Sequence, residues 1–328
     1  MPIALRRSFE PAVAVLFGLV VIRAASLWFS LDPGPRAPTE AEWAAVSRHI
    51  DHELAPGDVL RIHPFWLREG TVVAEAVGPE RLTLDLSVPL DPMTLYGNKR
   101  LWLVSAFGRT DAGPPPGATL DQETSFPGGL LLRRYALAES PIALAFTDEL
   151  RSATVERWPA GGAHRTCRWA GSKHECRGRP WEDVRVERKE IGGAPRTCFV
   201  LHPYPSGGTV ALRFPKVALG AGILVRAGFT LEAAKTEHGS DAKLTVRVGQ
   251  RVALERVERQ NAWDFVPSYI DTGDLRGKTA DIVLEVTAAN EEFRDLCIDG
   301  FVVSRPVPEA EAARRCQNPS ENPGPGGC

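Results

Sequence analysis

Apolar residues run unbroken from Ala12 to Ile22, stop at Arg23, and resume as Ala24-Ala25-Ser26-Leu27-Trp28-Phe29-Ser30-Leu31. As one helix, residues 12–31 would cross about 30 Å of hydrocarbon, with Trp28 and Phe29 at the far interface. Arg6 and Arg7 would keep the N-terminus cytoplasmic. Arg23 lies past the middle, where its side chain can snorkel outward and avoid a cost of roughly 2.5–3.5 kcal/mol at the centre. A retained anchor is the first expectation. A cleaved signal, for which Arg23-Ala24-Ala25 is a poor processing site, and an amphipathic or buried helix stay open. Either of the first two exports the rest of the chain.

Beyond a stiff Pro-rich linker at 32–38, Thr39 and Glu42 have the spacing of a capping box. Trp43, Val46, Ile50 and Leu54 then recur at helical spacing, predicting a helix over 40–54 that Pro56-Gly57-Asp58 stops. Strands are expected at 59–62, at 82–88 where Leu82, Leu84, Leu86 and Val88 alternate, at Leu101-Trp102-Leu103-Val104, and from Leu130. A short helix is expected at 68–76, and the Gly/Pro-rich stretch 109–128 reads as an exposed loop. These elements predict a small α/β domain over 39–147. From 148 the pattern changes to short strands between turn clusters, at 183–189, 197–202, 209–214, 222–230, 243–248, 251–257, 265–270, 280–287 and 296–303. Leu244, Val246 and Val248 alternate, as do Ile282, Leu284 and Val286. An antiparallel sandwich over 148–305 follows, with a disordered Pro/Gly-rich tail at 306–328. The class is α+β, mainly β: one N-terminal membrane helix (1–31), the α/β domain, then an antiparallel sandwich.

Composition agrees. A chain of 328 residues accommodates about two domains, and a net charge of −2 gives no field toward nucleic acid. With 30 Gly, 27 Pro and 8 Trp it suits short strands and turns. Its six cysteines, Cys167, Cys176, Cys198, Cys297, Cys316 and Cys328, all lie in the second half, an even number as expected outside the cytoplasm. Proximity pairs Cys167 with Cys176 and Cys316 with Cys328, leaving Cys198–Cys297 to cross-link the sandwich.

Two stretches resemble known families. Lys243 to Gln250, Asp271 to Lys278, Ala280 to Thr287 and Cys297-Ile298-Asp299-Gly300-Phe301-Val302-Val303 resemble the galactose-binding-like β-sandwich of many carbohydrate-binding modules. That resemblance covers about 155 residues and implies a jelly-roll fold, with an envelope carbohydrate or glycan-bearing partner as ligand. Pro56-Gly57-Asp58-Val59-Leu60 and Arg100 to Ser105 are similar to the extracytoplasmic α/β region of lipid-sugar-dependent membrane glycosyltransferases. With one hydrophobic segment this chain lacks their membrane-embedded active site. It would then be an accessory or degenerate part of a glycan-transfer system, with a membrane protein as partner.

No nucleophile elbow, phosphate loop, dinucleotide glycine motif or His-Glu-x-x-His is present, so no catalytic residue is assigned and a glycan-acting enzyme ranks third. Sugars offer apolar C–H faces and hydroxyl edges, so an aromatic platform with planar polar neighbours is the pattern sought. Trp263 with Asn261 and Arg259 fits it; the alternative is that Trp263 plugs the sandwich core. Arg165, Arg168, Lys173, Arg177 and Arg179, near Trp169 and Trp181, form a basic loop suited to phosphate or uronate groups, unless it is only a solvated arginine-rich loop. His164, Cys167, His174 and Cys176 could hold zinc, though oxidising surroundings favour the disulfide. His63 and His202, each before a proline, could act as bases or satisfy backbone carbonyls. Asp271, Asp274, Glu292, Asp295 and Asp299 are acidic, and Asp295 with Asp299 are the candidates for a structural Ca²⁺; otherwise no cofactor is expected. A paired-carboxylate glycosidase would need two of these acids about 5–10 Å apart across a cleft. The expected location is the cell membrane, single-pass, with the folded domains extracytoplasmic.

Overall fold

The computed structural model describes residues 17, 19–23, 36–64, 73, 93–110, 112–115, 117–176, 178–192, 194–204, 207–259, 261–292 and 294–307. They divide into two compact units, Met1–Leu86 with Asn98–Ala138, and Ser87–Gly97 with Glu139–Cys328.

Most of the predicted span 12–31 lies outside the described residues. Phe17 and Leu19 to Arg23 are helical. Among the described residues no helix is long and apolar enough to cross a membrane. The predicted strand 82–88, the 306–328 tail beyond Val307, and the Cys316–Cys328 pair also lie outside. Of the predicted helix at 68–76 only Val73 is described, helical and buried.

In the first unit the capping box forms as its spacing predicts. Thr39 N donates to Glu42 Oε2 at 2.7 Å, and Glu42 N donates to Thr39 Oγ1 at 3.4 Å. Helix α1 (Glu40–Glu53) buries Trp43, Val46 and Ile50. They pack on one face of a four-stranded sheet made by β1 (Asp58–His63), β2 (Arg100–Ser105), β3 (Thr119–Phe126) and β4 (Leu130–Ala136). The order is β1-β2-β4-β3, with β1 parallel to β2 and the other pairs antiparallel. The loop expected at 109–128 is therefore a strand from Thr119. An edge strand buries little, so its sequence is polar: Glu123 pairs with Arg133 at 2.8 Å and Asp121 with Arg134 at 3.0 Å across the ladder.

Among its described residues the second unit holds fourteen strands: β5 (Ile142–Ala145), β6 (Thr154–Trp158), β7 (Arg165–Thr166), β8 (Arg168–Ala170), β9 (Lys173–Glu175), β10 (Val184–Ile191), β11 (Ala194–Leu201), β12 (Thr209–Ala218), β13 (Gly222–Phe229), β14 (Ala242–Val248), β15 (Arg251–Glu258), β16 (Val266–Asp271), β17 (Thr279–Ala288) and β18 (Leu296–Val303). All nine predicted strands are present. One sheet runs β16-β13-β18-β11-β10-β9-β8, with β5 added on β18; the other runs β15-β14-β17-β12-β6-β7. Every pair is antiparallel. From β12 onward the chain passes back and forth between the sheets except at the β14–β15 hairpin, and Phe199, Phe214, Val225, Leu244, Leu284 and Ile298 fill the space between them. This is an antiparallel β-sandwich.

The two compact units divide at Ala138. Strand β5 pairs with β18, and Phe146 packs where Gly300 leaves room: a Cβ there would sit 2.5 Å from its ring. Of the three predicted disulfides the two among the described residues exist, but Cys198–Cys297 does not join the two sheets. It links the neighbouring strands β11 and β18 on the face turned away from the core, in a cluster with Ile191 and Val200. Cys167–Cys176 instead brackets the β8–β9 hairpin, at the point where the chain leaves β7 in one sheet for β8 in the other.

Polar bonding concentrates on Asp58 in the first unit. Its carboxylate, 1% exposed, accepts from Arg100 Nε (2.7 Å) and Nη2 (2.6 Å), Trp102 Nε1 (2.8 Å) and Ala55 N (3.0 Å). Burial pushes its pKa up, but the hydrogen bonds from Arg100, Trp102 and Ala55 outweigh this and hold it below the usual carboxylate value. Replacing Asp58 by Ala strands those donors and is expected to cost about 3 kcal/mol in denaturant unfolding. Because the folded pKa is lowered, this stabilisation is complete above the ordinary carboxylate range and is lost as pH falls through the folded value. Wild-type stability should thus fall more steeply in acid than that of Asp58→Ala; parallel profiles would refute this role.

Candidate functional site

The two ends of the sandwich differ. At one end the connections are tight: 219–221, 249–250 and 272–278. The chain also enters and leaves there, with Arg305 Nη2 donating to Glu139 O at 2.7 Å. At the other end lie the longer connections 159–164, 176–183, 202–208, 230–241, 259–265 and 289–295, as the pairings Thr209↔Trp158, Thr209↔Thr287, Ala242↔Glu258 and Phe229↔Leu296 require. Loops on a rigid scaffold, away from the chain's own entry, are where binding groups are generally found.

The Trp263 loop sits at this end, on the flank formed by the edge strands β15 and β16. Its stems are clamped by Arg256, which donates to Val266 O (2.8 Å), Ser268 Oγ (2.8 Å) and Ala227 O (3.1 Å) and pairs with Glu258. Burial raises the Glu258 pKa against the opposing pull of Arg256. Trp263 is half-buried and does not belong to the sandwich core, so it does not plug it. Its Nε1 is shielded and makes no hydrogen bond among the described residues.

The loop lies against two glycines. A Cβ at Gly228 would sit 2.4 Å from Asp264 O and 2.9 Å from Ile191 Cγ2; one at Gly192 would sit 3.3 Å from Trp263 O. Strand β11 pairs with β18 only over Phe199–Leu201. Beyond that the β10–β11 hairpin leans over the outer face, and its tip meets the Trp263 loop. Phe265 packs on the Cys198–Cys297 cluster beneath, with Arg196 at 5.6 Å and Arg226 at 5.1 Å from its ring. Arg259, Asn261 and Asp264 are exposed, and among the described residues their side chains make no hydrogen bond or ion pair. A fixed indole beside unengaged guanidinium, amide and carboxylate groups can stack on one face of a ligand and hydrogen-bond its edges.

The basic residues occupy the opposite flank, at β7 to β10, so they do not share the Trp263 site. Lys173 is neutralised by Asp183 (2.6 Å) and Glu175 (3.7 Å), and Arg168 reaches Glu175 at 3.3 Å. Arg177 lies outside the described residues. Arg165 is exposed, and Arg179 rests 5.2 Å from the centroid of Trp181, a residue that sequence reasoning noted but did not place in a site. Only exposure singles Trp181 out, and composition does not carry that signal.

The remaining candidates separate too. The two sulfurs of the zinc candidate are disulfide-bonded, His174 Nε2 lies 2.9 Å from Leu150 O, and His164 Nε2 lies 3.3 Å from Glu156. Asp299 is buried against Arg226, accepting from Nε and Nη2, while Asp295 faces His202 Nδ1 at 2.9 Å. The two calcium candidates are thus engaged with different partners. Among the described residues no three His, Cys, Asp or Glu side chains gather as metal ligands. His202 therefore pairs with a carboxylate rather than with a backbone carbonyl.

No protein-family model matches the chain, and no curated protein does. Among solved structures it is similar to CBM51 of Clostridium perfringens GH95, in complex with methyl-galactose: 9% identity, TM-score 0.25, covering 35% of this chain and 79% of that one. A second is the CBM51-2 and INT domains of Clostridium perfringens ZmpB, at 13% identity and TM-score 0.29, covering 56% of this chain and 40% of that one. A third is a family 16 carbohydrate-binding module, at 18% identity and TM-score 0.23, covering 37% and 84%. The chain thus spans two-fifths of the length of the second. At such identities and scores the class rests on the chain's own strand order, which defines a β-sandwich protein with a small α/β unit. No match supports the first unit's resemblance to glycosyltransferase regions.

Gly228→Val should push the Trp263 loop off the sheet. We expect a loss of about 1–3 kcal/mol with proteolytic cleavage appearing within 259–265 and β-sheet circular dichroism retained. Unchanged cleavage would show that the loop does not depend on this approach.

Proposed function

We propose that this is a membrane-anchored cell-envelope protein whose sandwich binds carbohydrate, or a glycan-bearing partner, through the loop 259–265. One observation carries the reading: Trp263 is held outside the core by glycine contacts and an underlying disulfide, with Arg259, Asn261 and Asp264 unengaged around it. Preorganisation of this kind lowers the entropic cost of binding.

Export is supported by the two disulfides, which persist in oxidising compartments. The anchor rests on the sequence pattern alone, the apolar run from Ala12 to Ile22 that resumes as far as Leu31. The accessory role in glycan transfer rests on the first unit's resemblance alone, and co-purification with a multi-pass transferase would favour it.

The test is full-length protein in detergent on a glycan array. Saturable binding to some glycans is expected, weakened by roughly tenfold or more in Trp263→Ala as one stacking interaction is lost. A blank array, or binding indifferent to Trp263→Ala, Arg259→Ala and Asn261→Ala together, would reject the reading. In membranes, an alkaline wash should leave the full chain in the pellet; release into the supernatant would reject the anchor.

A further inference from the structure

The Trp181 turn has features that the Trp263 reading does not use. At 47% exposed it is the only exposed large hydrophobic on its flank among the described residues. It stands in the single turn Pro180–Glu182 on the loop-bearing end, between β9 and β10. An exposed aromatic ring usually moves with its loop, but this one is braced from below.

Arg157, 1% exposed, reaches across from β6. Its Nη1 donates to Glu182 O (2.9 Å) and Oε2 (3.3 Å), its Nη2 donates to His202 O (3.3 Å), and its guanidinium lies 4.7 Å from the Tyr204 ring centroid. Arg185 Nη1 donates to Pro180 O at 3.3 Å. Asp183 accepts from Cys176 N at 3.1 Å and from Lys173 Nζ at 2.6 Å, which ties the turn to the Cys167–Cys176 disulfide. The chain before the turn is close-packed as well, since a Cβ at Gly178 would sit 2.0 Å from Glu182 Oε2. These contacts brace the turn from its underside.

What it presents is a ring and a cation together. Arg179 stacks on Trp181, 5.2 Å from the centroid, and no carboxylate partner is seen for it among the described residues. Arg165, opposite the buried Arg157 in the β6–β7 ladder, is exposed and likewise has no acid partner among the described residues. By contrast Lys173 and Arg168 have spent their charges on Asp183 and Glu175. The Arg179 charge thus lies beside the exposed ring. An indole offers a surface for the C–H face of a sugar, and a guanidinium offers a two-pronged contact for carboxylate or phosphate.

We propose that Trp181 and Arg179 form a second ligand site for acidic glycan, meaning sugar bearing carboxylate or phosphate. A membrane surface is the poorer fit. Interfacial binding needs several apolar side chains to insert, and here Trp181 stands alone. With Trp263 on the opposite flank of the same end, the sandwich is built to hold one polymer at two points, which raises avidity without strengthening either contact.

The test uses the full-length chain in phosphatidylcholine nanodiscs. The probes are polygalacturonate, poly(glycerol phosphate), neutral dextran and, separately, phosphatidylglycerol vesicles. At least one polyanion should bind, weakened roughly tenfold by Trp181→Ala and severalfold by Arg179→Gln, and weakened again between about 0.05 and 0.5 M salt. Arg179→Gln is a surface change that keeps the brace, so it covers the case in which Trp181→Ala unfolds the turn. Dextran binding should not respond to Arg179→Gln. Failure of both polyanions to bind, indifference to both substitutions, or binding to the vesicles alone would overturn the site. Trp263→Ala separates the two readings: a response there with none at Trp181 rejects this site only, and the converse rejects the other only.

Discussion

Two strands set the terms for the sandwich: β13 and β18 are buried at all eight of their positions, on both faces. The inner face is covered by the opposing sheet. The outer face must be covered by something else, because it carries Leu224, Cys297, Phe301 and Val303 and the buried Arg226–Asp299 pair, whose charges are tolerated only while fully hydrogen-bonded. Near the chain's entry the cover is β5 with Met93 and Tyr96. Toward the loop-bearing end it is the leaning β10–β11 hairpin and the segment that carries Trp263 and Phe265.

The site follows from that cover. A loop recruited to shield a sheet is packed on its underside and free on its upper side, so it is held more firmly than an ordinary surface loop. Gly192 and Gly228 allow the backbones to approach, Cys198–Cys297 fixes the root of the hairpin to β18, and Arg256 clamps the loop's stems. On the other flank a buried arginine and a second disulfide do the same for Trp181. Both aromatic residues stand on ground that is rigid for reasons of packing, and each keeps polar or cationic neighbours available.

Much of this was legible in the sequence, because period-two alternation, turn clusters and the Thr39–Glu42 box are local signals. The nine strands from β10 to β18 follow from those signals, and the Cys198–Cys297 pair from what the proximity of the other cysteines leaves over. Other features lie beyond local pattern. Strands β7 to β9 are two or three residues long, too short to show a period. Strand β3 is a polar edge whose alternation lacks an apolar half. The outward lean of the hairpin comes from what it must cover, so the disulfide seemed to bridge two sheets when it binds neighbours in one. The basic segment showed its charges but not its ion pairs, and therefore not which cations stay available. His202 looked like a carbonyl's partner because Asp295, 93 residues away, is adjacent only in the fold.

The central claim is that the cover on the outer face of β13 and β18 is what holds the Trp263 loop in place. Hydrogen–deuterium exchange on the full-length protein tests it most directly, comparing wild type with the Cys198→Ala/Cys297→Ala double variant. Freeing the hairpin's root should accelerate exchange together in 189–196 and 261–265 while β12, β14 and β17 stay protected. If those two segments exchange at wild-type rates, or if the whole sandwich loses protection at once, the loop's rigidity has another source.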